Sequence, residues 1–221
     1  MGSPNEPRIP TPSGQGVVKS KATYHHGDLR QALIAGAIAL INQQDVSSLS
    51  LRGLARYIGV SHAAPYRHFP DKEALLAVVA EEGLLELTQD LTAAIGGLEN
   101  QPLQQLETTG VAYIKYAIAH PAHYRVMFST YSSEKTQYSS LEEASQQAFM
   151  VLENVIIEGQ SQGLIKSGES RQLAWVAWSL VHGLAMLLID NQLSLVKAED
   201  VESISSFVTR TLIEGLGNSK K

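Results

Sequence analysis

At 221 residues the chain is long enough for two helical domains, and the absence of cysteine excludes disulfides and thiolate metal sites. With 44% hydrophobic and 18% charged residues it has the balance of a soluble protein, and no apolar run is expected to reach the roughly 18–20 residues that cross a bilayer. The net charge of −5 is unevenly placed: residues 1–80 hold eight Lys/Arg against five Asp/Glu, +3, whereas residues 81–221 hold nine against seventeen, −8. A basic head on an acidic body confines attraction for a polyanion to one end of the molecule.

Residues 1–21 carry four prolines and almost no apolar periodicity, which predicts a disordered arm. The opening MGSPNEPRIPTPSGQG lacks the apolar stretch of a secretory leader, so the cytoplasm is the expected compartment. Lys19, Lys21 and Tyr24-His25-His26 close this arm. It can act as a basic strand reaching a nucleic-acid groove or as a solvated tail. A first helix is predicted from Asp28, its cap, to Gln43, with Leu29, Ala32, Leu33, Ala37, Leu40 and Ile41 inward.

The segment SLRGLARYIGVSHAAPYRHFPDKEALL, residues 50–76, is the most informative. Ser50 is a good N-cap, Leu51, Leu54, Ala55 and Ile58 form an apolar stripe, and Gly59 can end the helix in the left-handed region. Val60 plugs the corner, and Ser61 can cap a second short helix, His62 to Phe69. Pro70-Asp71 then breaks the chain, with Pro70 suited to the first turn of the next helix. Two short helices around a glycine turn are the helix-turn-helix plan, whose second helix enters the DNA major groove. His62, Ala63 and Ala64 sit where side chains reach base edges, while Tyr66, Arg67 and His68 can donate to phosphate oxygens. Lys72 adds a cation at a helix N-terminus. With the caps Ser50 and Ser61 and with Lys21 of the arm, these residues make up the expected DNA-facing set. Tyr57 and Phe69 are expected to anchor the unit to its own core, and Pro65, lacking an N–H, to disturb the second helix.

GVSHAAPYRHFPDKEALL, preceded by YHHGDLRQALIAGAIALI, resembles the DNA-binding region of the TetR family of bacterial transcriptional regulators, from about Tyr24 to Ala94. The resemblance implies three small helices, a long fourth helix and an all-helical ligand-binding and dimerisation domain. It also implies phosphate contacts from Tyr66, His68 and Lys72. WSLVHGLAM, with Trp178, His182 and Gly183, is similar to the subfamily named for a Trp…His-Gly signature.

The long helix is predicted from about Asp71 to Ile95, stopping at Gly96-Gly97. Body helices follow near 103–119, 121–129, 139–162, 170–190 and 198–215. The breaks fall at Asn100-Gln101-Pro102, His120-Pro121, the polar loop Ser132 to Ser140, Gly163 and Gly168. Gly163-Leu164-Ile165 reads as a C-cap followed by an apolar anchor. The expected fold is therefore all-α, about nine helices: an arm at 1–21, a helix-turn-helix domain at 22–72 and a ligand-binding and dimerisation domain at 73–217.

Helix 170–190 is apolar nearly all round, with Gly183 and Ala185 small enough for close approach. Helix 198–215 presents Ile204, Phe207, Val208, Thr211 and Leu212. Together they are expected to pair with a second copy as a four-helix bundle, so that a homodimer reads a palindromic double-stranded operator. Tyr113, Tyr116, Tyr124, Met127, Phe128, Phe149, Trp175 and Trp178, with His182 as a polar handle, are either core or the lining of a pocket for a small-molecule effector. Arg125 is the one obvious cation for an acidic ligand.

His120 and His123 lack an evident third ligand, and no nucleophile, phosphate-loop or zinc-protease motif occurs, so neither metal, cofactor nor catalysis is expected. The leading expectation is a ligand-responsive homodimeric repressor. Its rivals are a ligand-independent DNA binder and a small-molecule or protein-interaction module without DNA affinity.

Overall fold

The computed structural model describes residues 26–129, 138–194 and 196–216. Eight α-helices form its frame: α1 (His26–Ile41), α2 (Leu51–Ile58), α3 (Lys72–Ile95), α4 (Pro102–Ala119), α5 (Pro121–Met127), α6 (Ser139–Ser161), α7 (Ser170–Ile189) and α8 (Val201–Leu216). Short 3-10 turns lie at Val46–Ser48, Pro65–Arg67 and Ala198–Asp200, and no strand runs among the described residues. The arm 1–21 with Lys19 and Lys21, Tyr24-His25, and the polar loop up to residue 137 lie outside the described residues.

In the head, α1 and α2 cross closely because Gly36 has no side chain: a Cβ there would stand 2.7 Å from Ile58 and 3.0 Å from Leu54. Leu33, Ile41, Leu51, Leu54 and Phe69 are buried together, and the Arg30 guanidinium lies 5.4 Å from the Phe69 ring centre. Ser50 caps α2 by accepting from the Gly53 amide at 3.1 Å, and Gly59 closes it at φ +78°.

Asp28 lies inside α1, which starts at His26, because the backbone is already helical before it. Pro70 stands outside α3: Asp71 is the N-cap, its carboxylate accepting from the Ala74 amide at 2.7 Å. The second helix of the head is not an α-helix. Pro65 has no amide hydrogen to give the Ser61 carbonyl, which takes the Ala64 amide instead at 2.9 Å. Residues 65–67 consequently form one 3-10 turn, and the Ser61 hydroxyl caps nothing.

Helix α3 belongs to both halves. Leu75, Leu76 and Val79 are buried with the head, whereas Leu84, Leu87 and Leu91 face the body. It stops at Gly96, with Gly97 at φ +81°. In the body, α4 packs against α3, α6, α7 and α8. The C-terminus of α6 turns at Gly163, φ +68°, and fully buried Ile165 packs on Gly159, where a Cβ would meet it at 2.5 Å.

Helix α8 sits on α4 through a face that joins small polar residues to the partly buried Val208, Leu212 and Ile213. Ser205 and Thr209 are buried, and a Cβ on Gly110 would run into Thr209. Phe207 is left 69% exposed. Helix α7 corrects the reading of hydropathy: Ser170–Ile189 is long and apolar enough by composition to cross a membrane. Here it packs on α4, α6 and α8, leaving Trp175, Val176, Leu180 and Leu187 partly exposed.

Candidate DNA interface and ligand cavity

The head presents a compact polar surface. Ser61, His62, Ala63, Tyr66 and Arg67 are exposed, Ala64 and His68 half-buried, and Pro65 and Phe69 pinned inside. Tyr57 is also on this outside at 50% exposure, contrary to its expected core role; at the end of α2 it faces away from the stripe of Leu51, Leu54 and Ala55. The exposed Arg52 and Arg56 of α2 are two cations that the reading of the sequence passed over, although both lie off that same apolar stripe.

Lys72 opens α3, and its ammonium donates to the Ser47 carbonyl at 3.0 Å. Ser47 stands three residues before the Ser50 cap, so the N-termini of α2 and α3 lie close together. The lysine therefore ties the segment before α2 to the start of α3, and two helix N-termini beside a lysine suit phosphate.

In the body, a cavity of about 230 Å³ opens between α3, α4, α6, α7 and α8. Leu84, Leu87 and Leu91 form one wall, with Tyr113, Phe128, Phe149, Trp175 and Trp178 as its aromatic lining. Tyr116, Met127 and His182 do not line it. Tyr116 donates to the Gly83 carbonyl at 2.8 Å, Met127 is fully buried with its sulfur against Gly83, and His182 lies behind the tyrosines. Arg125 is outside as well, its guanidinium 3.1 Å from Asp190 in an exposed ion pair.

Among the polar lining residues from outside the expected set, Arg171 and Thr109 stand out. Arg171, at the start of α7, lines the cavity with its guanidinium 5.5 Å from the Phe149 ring centre. Thr109 is 3% exposed, and its Oγ1 is the one buried side-chain polar atom among the described residues without a hydrogen-bond partner. Both were readable: Arg171, Trp175 and Trp178 recur at helical spacing, and Thr109 stands four before Tyr113.

Behind the aromatic wall runs a continuous hydrogen-bond network. The Trp178 indole N–H donates to the Tyr113 hydroxyl at 3.0 Å. Tyr113 and Tyr124 hydroxyls lie 3.1 Å apart, and His182 Nδ1 is 2.6 Å from Tyr124 and 2.9 Å from Tyr113. The Tyr124 hydroxyl makes the shortest contact with Nδ1, and the imidazole tautomer sets which of the two donates. Burial pushes both tyrosine hydroxyls well above their ordinary range and holds His182 below 6.5.

The unfolded chain thus binds a proton at His182 at a pH where the folded chain does not. The stabilisation is complete above pH 6.5 and is lost as pH falls toward the depressed folded value. Urea midpoints are expected to drop between about pH 7 and 5. A His182→Asn protein should show a shallower drop, with His123, likewise held neutral by burial, retaining its own part. An identical pH slope in that variant would contradict a neutral buried His182.

A head with an exposed helix-turn-helix edge, joined by one long helix to a helical body with a mostly apolar cavity, is the architecture of a DNA-binding regulator. Comparison with known proteins agrees. The profile of bacterial regulatory proteins of the tetR family matches residues 33–79, and that of the tetracyclin repressor-like C-terminal domain matches residues 106–212. An uncharacterized HTH-type transcriptional regulator, YobS of Bacillus subtilis (strain 168), is 26% identical over 189 residues, 85% of this chain and 93% of that one. A solved structure of a protein of unknown function from Rhodococcus sp. RHA1 superposes with a TM-score of 0.74 at 33% identity, covering 90% of this chain and all of the other. The probable acrEF/envCD operon repressor of Escherichia coli (strain K12) is 35% identical over 94 residues, 42% of each chain. The chain belongs to the TetR family and is a DNA-binding transcriptional regulator.

Proposed function

We propose that this regulator is a homodimeric repressor, acting in the cytoplasm, that reads a palindromic operator and is released by an apolar small molecule. In this reading His62 and Ala63 face base edges, and Tyr66, Arg67, His68 and Lys72, with Ser50, Ser61 and Ala64 beside them, fix the register on phosphates. Support comes from the exposure of that row around a buried Pro65 and Phe69.

The dimer forms through α7 and α8. Val176, Leu180 and Leu187 share one partly exposed stripe with Gly183, which has open space in front of it, and Phe207 extends the apolar surface onto α8. The Trp178, His182 and Gly183 signature supports a likeness of the body to the Trp…His-Gly subfamily. Its histidine orients aromatics of the cavity wall, and its glycine lets a second copy approach.

The effector enters the cavity with an apolar body against Leu87 and Phe128, a polar group on the unpaired Thr109 hydroxyl and an electron-rich or anionic end toward Arg171. The observation that carries the regulatory reading is that α3 forms both a cavity wall and part of the head core. A ligand that shifts α3 changes the separation of two heads one helical turn apart on DNA.

Selection from random duplexes by the full-length protein, followed by gel shift, tests this. A twofold-symmetric consensus bound as a dimer is the expected outcome. Failure to enrich any duplex would instead favour a helical small-molecule module without DNA affinity. A consensus whose binding no apolar metabolite weakens would leave a ligand-independent DNA binder.

A further inference from the structure

The corner between α4 and α5 holds a cluster that neither the DNA surface nor the cavity uses. His120 ends α4 and precedes α5, His123 lies in the first turn of α5, and Glu86 projects from α3. One ligand atom of each comes within 4.8 Å of the other two. The reading of the sequence found no third ligand for this histidine pair because Glu86 lies 34 positions before His120. Two imidazoles and a carboxylate are the donor set of zinc and its late first-row neighbours, not of calcium or magnesium.

We propose that Glu86, His120 and His123 form a site for a divalent cation of the zinc class that ties the α4–α5 corner to α3.

The geometry is half-assembled. His123 is 9% exposed and held in place: a Cβ on Gly83 would touch its own Cβ at 2.9 Å. The His120 ring stacks on Tyr116, centroids 4.7 Å apart. No side-chain hydrogen bond is made by His120 or His123 among the described residues, so the ring nitrogens are not committed elsewhere. Tyr116 is fixed by its bond to the Gly83 carbonyl, and its hydroxyl lies 3.4 Å from the Glu86 carboxylate, where it can orient that group.

Bonds of about 2.0–2.2 Å require donors closer than 4.8 Å. Glu86 is the exposed member of the set, so closure requires a rotamer change of its side chain. Glu82 and Asp90, one turn to either side on α3, put three carboxylates on one helix face, a repulsion that a cation relieves.

The test uses full-length His25→Ala/His26→Ala protein, which removes the histidine pair of the arm, stripped with chelator and titrated with Co²⁺ by visible absorption and with Zn²⁺ by calorimetry. One cation per chain is expected. Affinity should fall more than about ten-fold in Glu86→Gln and stoichiometric binding should vanish in His120→Gln. Both side chains are solvent-accessible, so these variants keep the fold, and circular dichroism checks it. Absence of stoichiometric binding by the parent, or undiminished binding in either variant, overturns the site.

Discussion

Replacing Tyr124 by alanine is expected to cost about 3–5 kcal/mol of folding stability, the range for emptying a buried aromatic site. Tyr124 is fully buried, edge-on to Tyr113 at 5.9 Å, against Phe128 at 4.9 Å and stacked on His182 at 5.4 Å. Its removal leaves a hole at the contact of α5 with α4 and α7, and it deprives His182 Nδ1 of its shortest partner. Tyr124→Phe isolates the second effect. Because Tyr113 stands 2.9 Å from the same nitrogen and can take over, that variant should lose only about 1 kcal/mol. Urea unfolding at one fixed protein concentration measures both, since a dimer's stability depends on concentration. Equal losses in the two variants would mean that packing around the ring contributes little.

The second large effect concerns DNA. Lys72→Ala should weaken binding to every duplex alike and flatten its salt dependence. Each phosphate contact contributes about 0.9 to the slope of log K against log salt. A symmetric dimer carries Lys72 twice, so the slope should fall by about 1.8, and by about 0.9 if single heads bind independently. The contact with the Ser47 carbonyl is also lost, so thermal stability must be measured in parallel. His62→Ala is the complement: it should alter which duplexes are preferred and leave the slope nearly as it was. An unchanged slope for Lys72→Ala would remove this lysine from the phosphate edge.

Much of the frame is legible in the sequence because the signals are local. Ser50, Gly59, Gly97 and Gly163 each act within one turn of backbone, and the structure has each where its chemistry predicts. The recognition segment shows the limit of pattern. Its polar residues are outside as expected, but the missing amide of Pro65 outweighs the helical spacing. Pairings between distant elements are not legible at all. Nothing near Arg125 announces Asp190, and nothing near His120 announces Glu86. The buried face of α8 was hidden for a different reason. Apolar spacing assigned Phe207 and Val208 to a face for a second copy, whereas the lack of a side chain at Gly110 leaves room for Thr209 against α4.

The double membership of α3 constrains how such a regulator can diversify. Leu84, Leu87 and Leu91 cannot be freely exchanged to suit a new compound, because the same rod continues into Leu75, Leu76 and Val79 beneath the reading head. Changes of chemical preference should therefore accumulate at Phe149, Leu152, Arg171 and Trp175 on the opposite side. Those positions are the places to randomise when building sensors for other molecules.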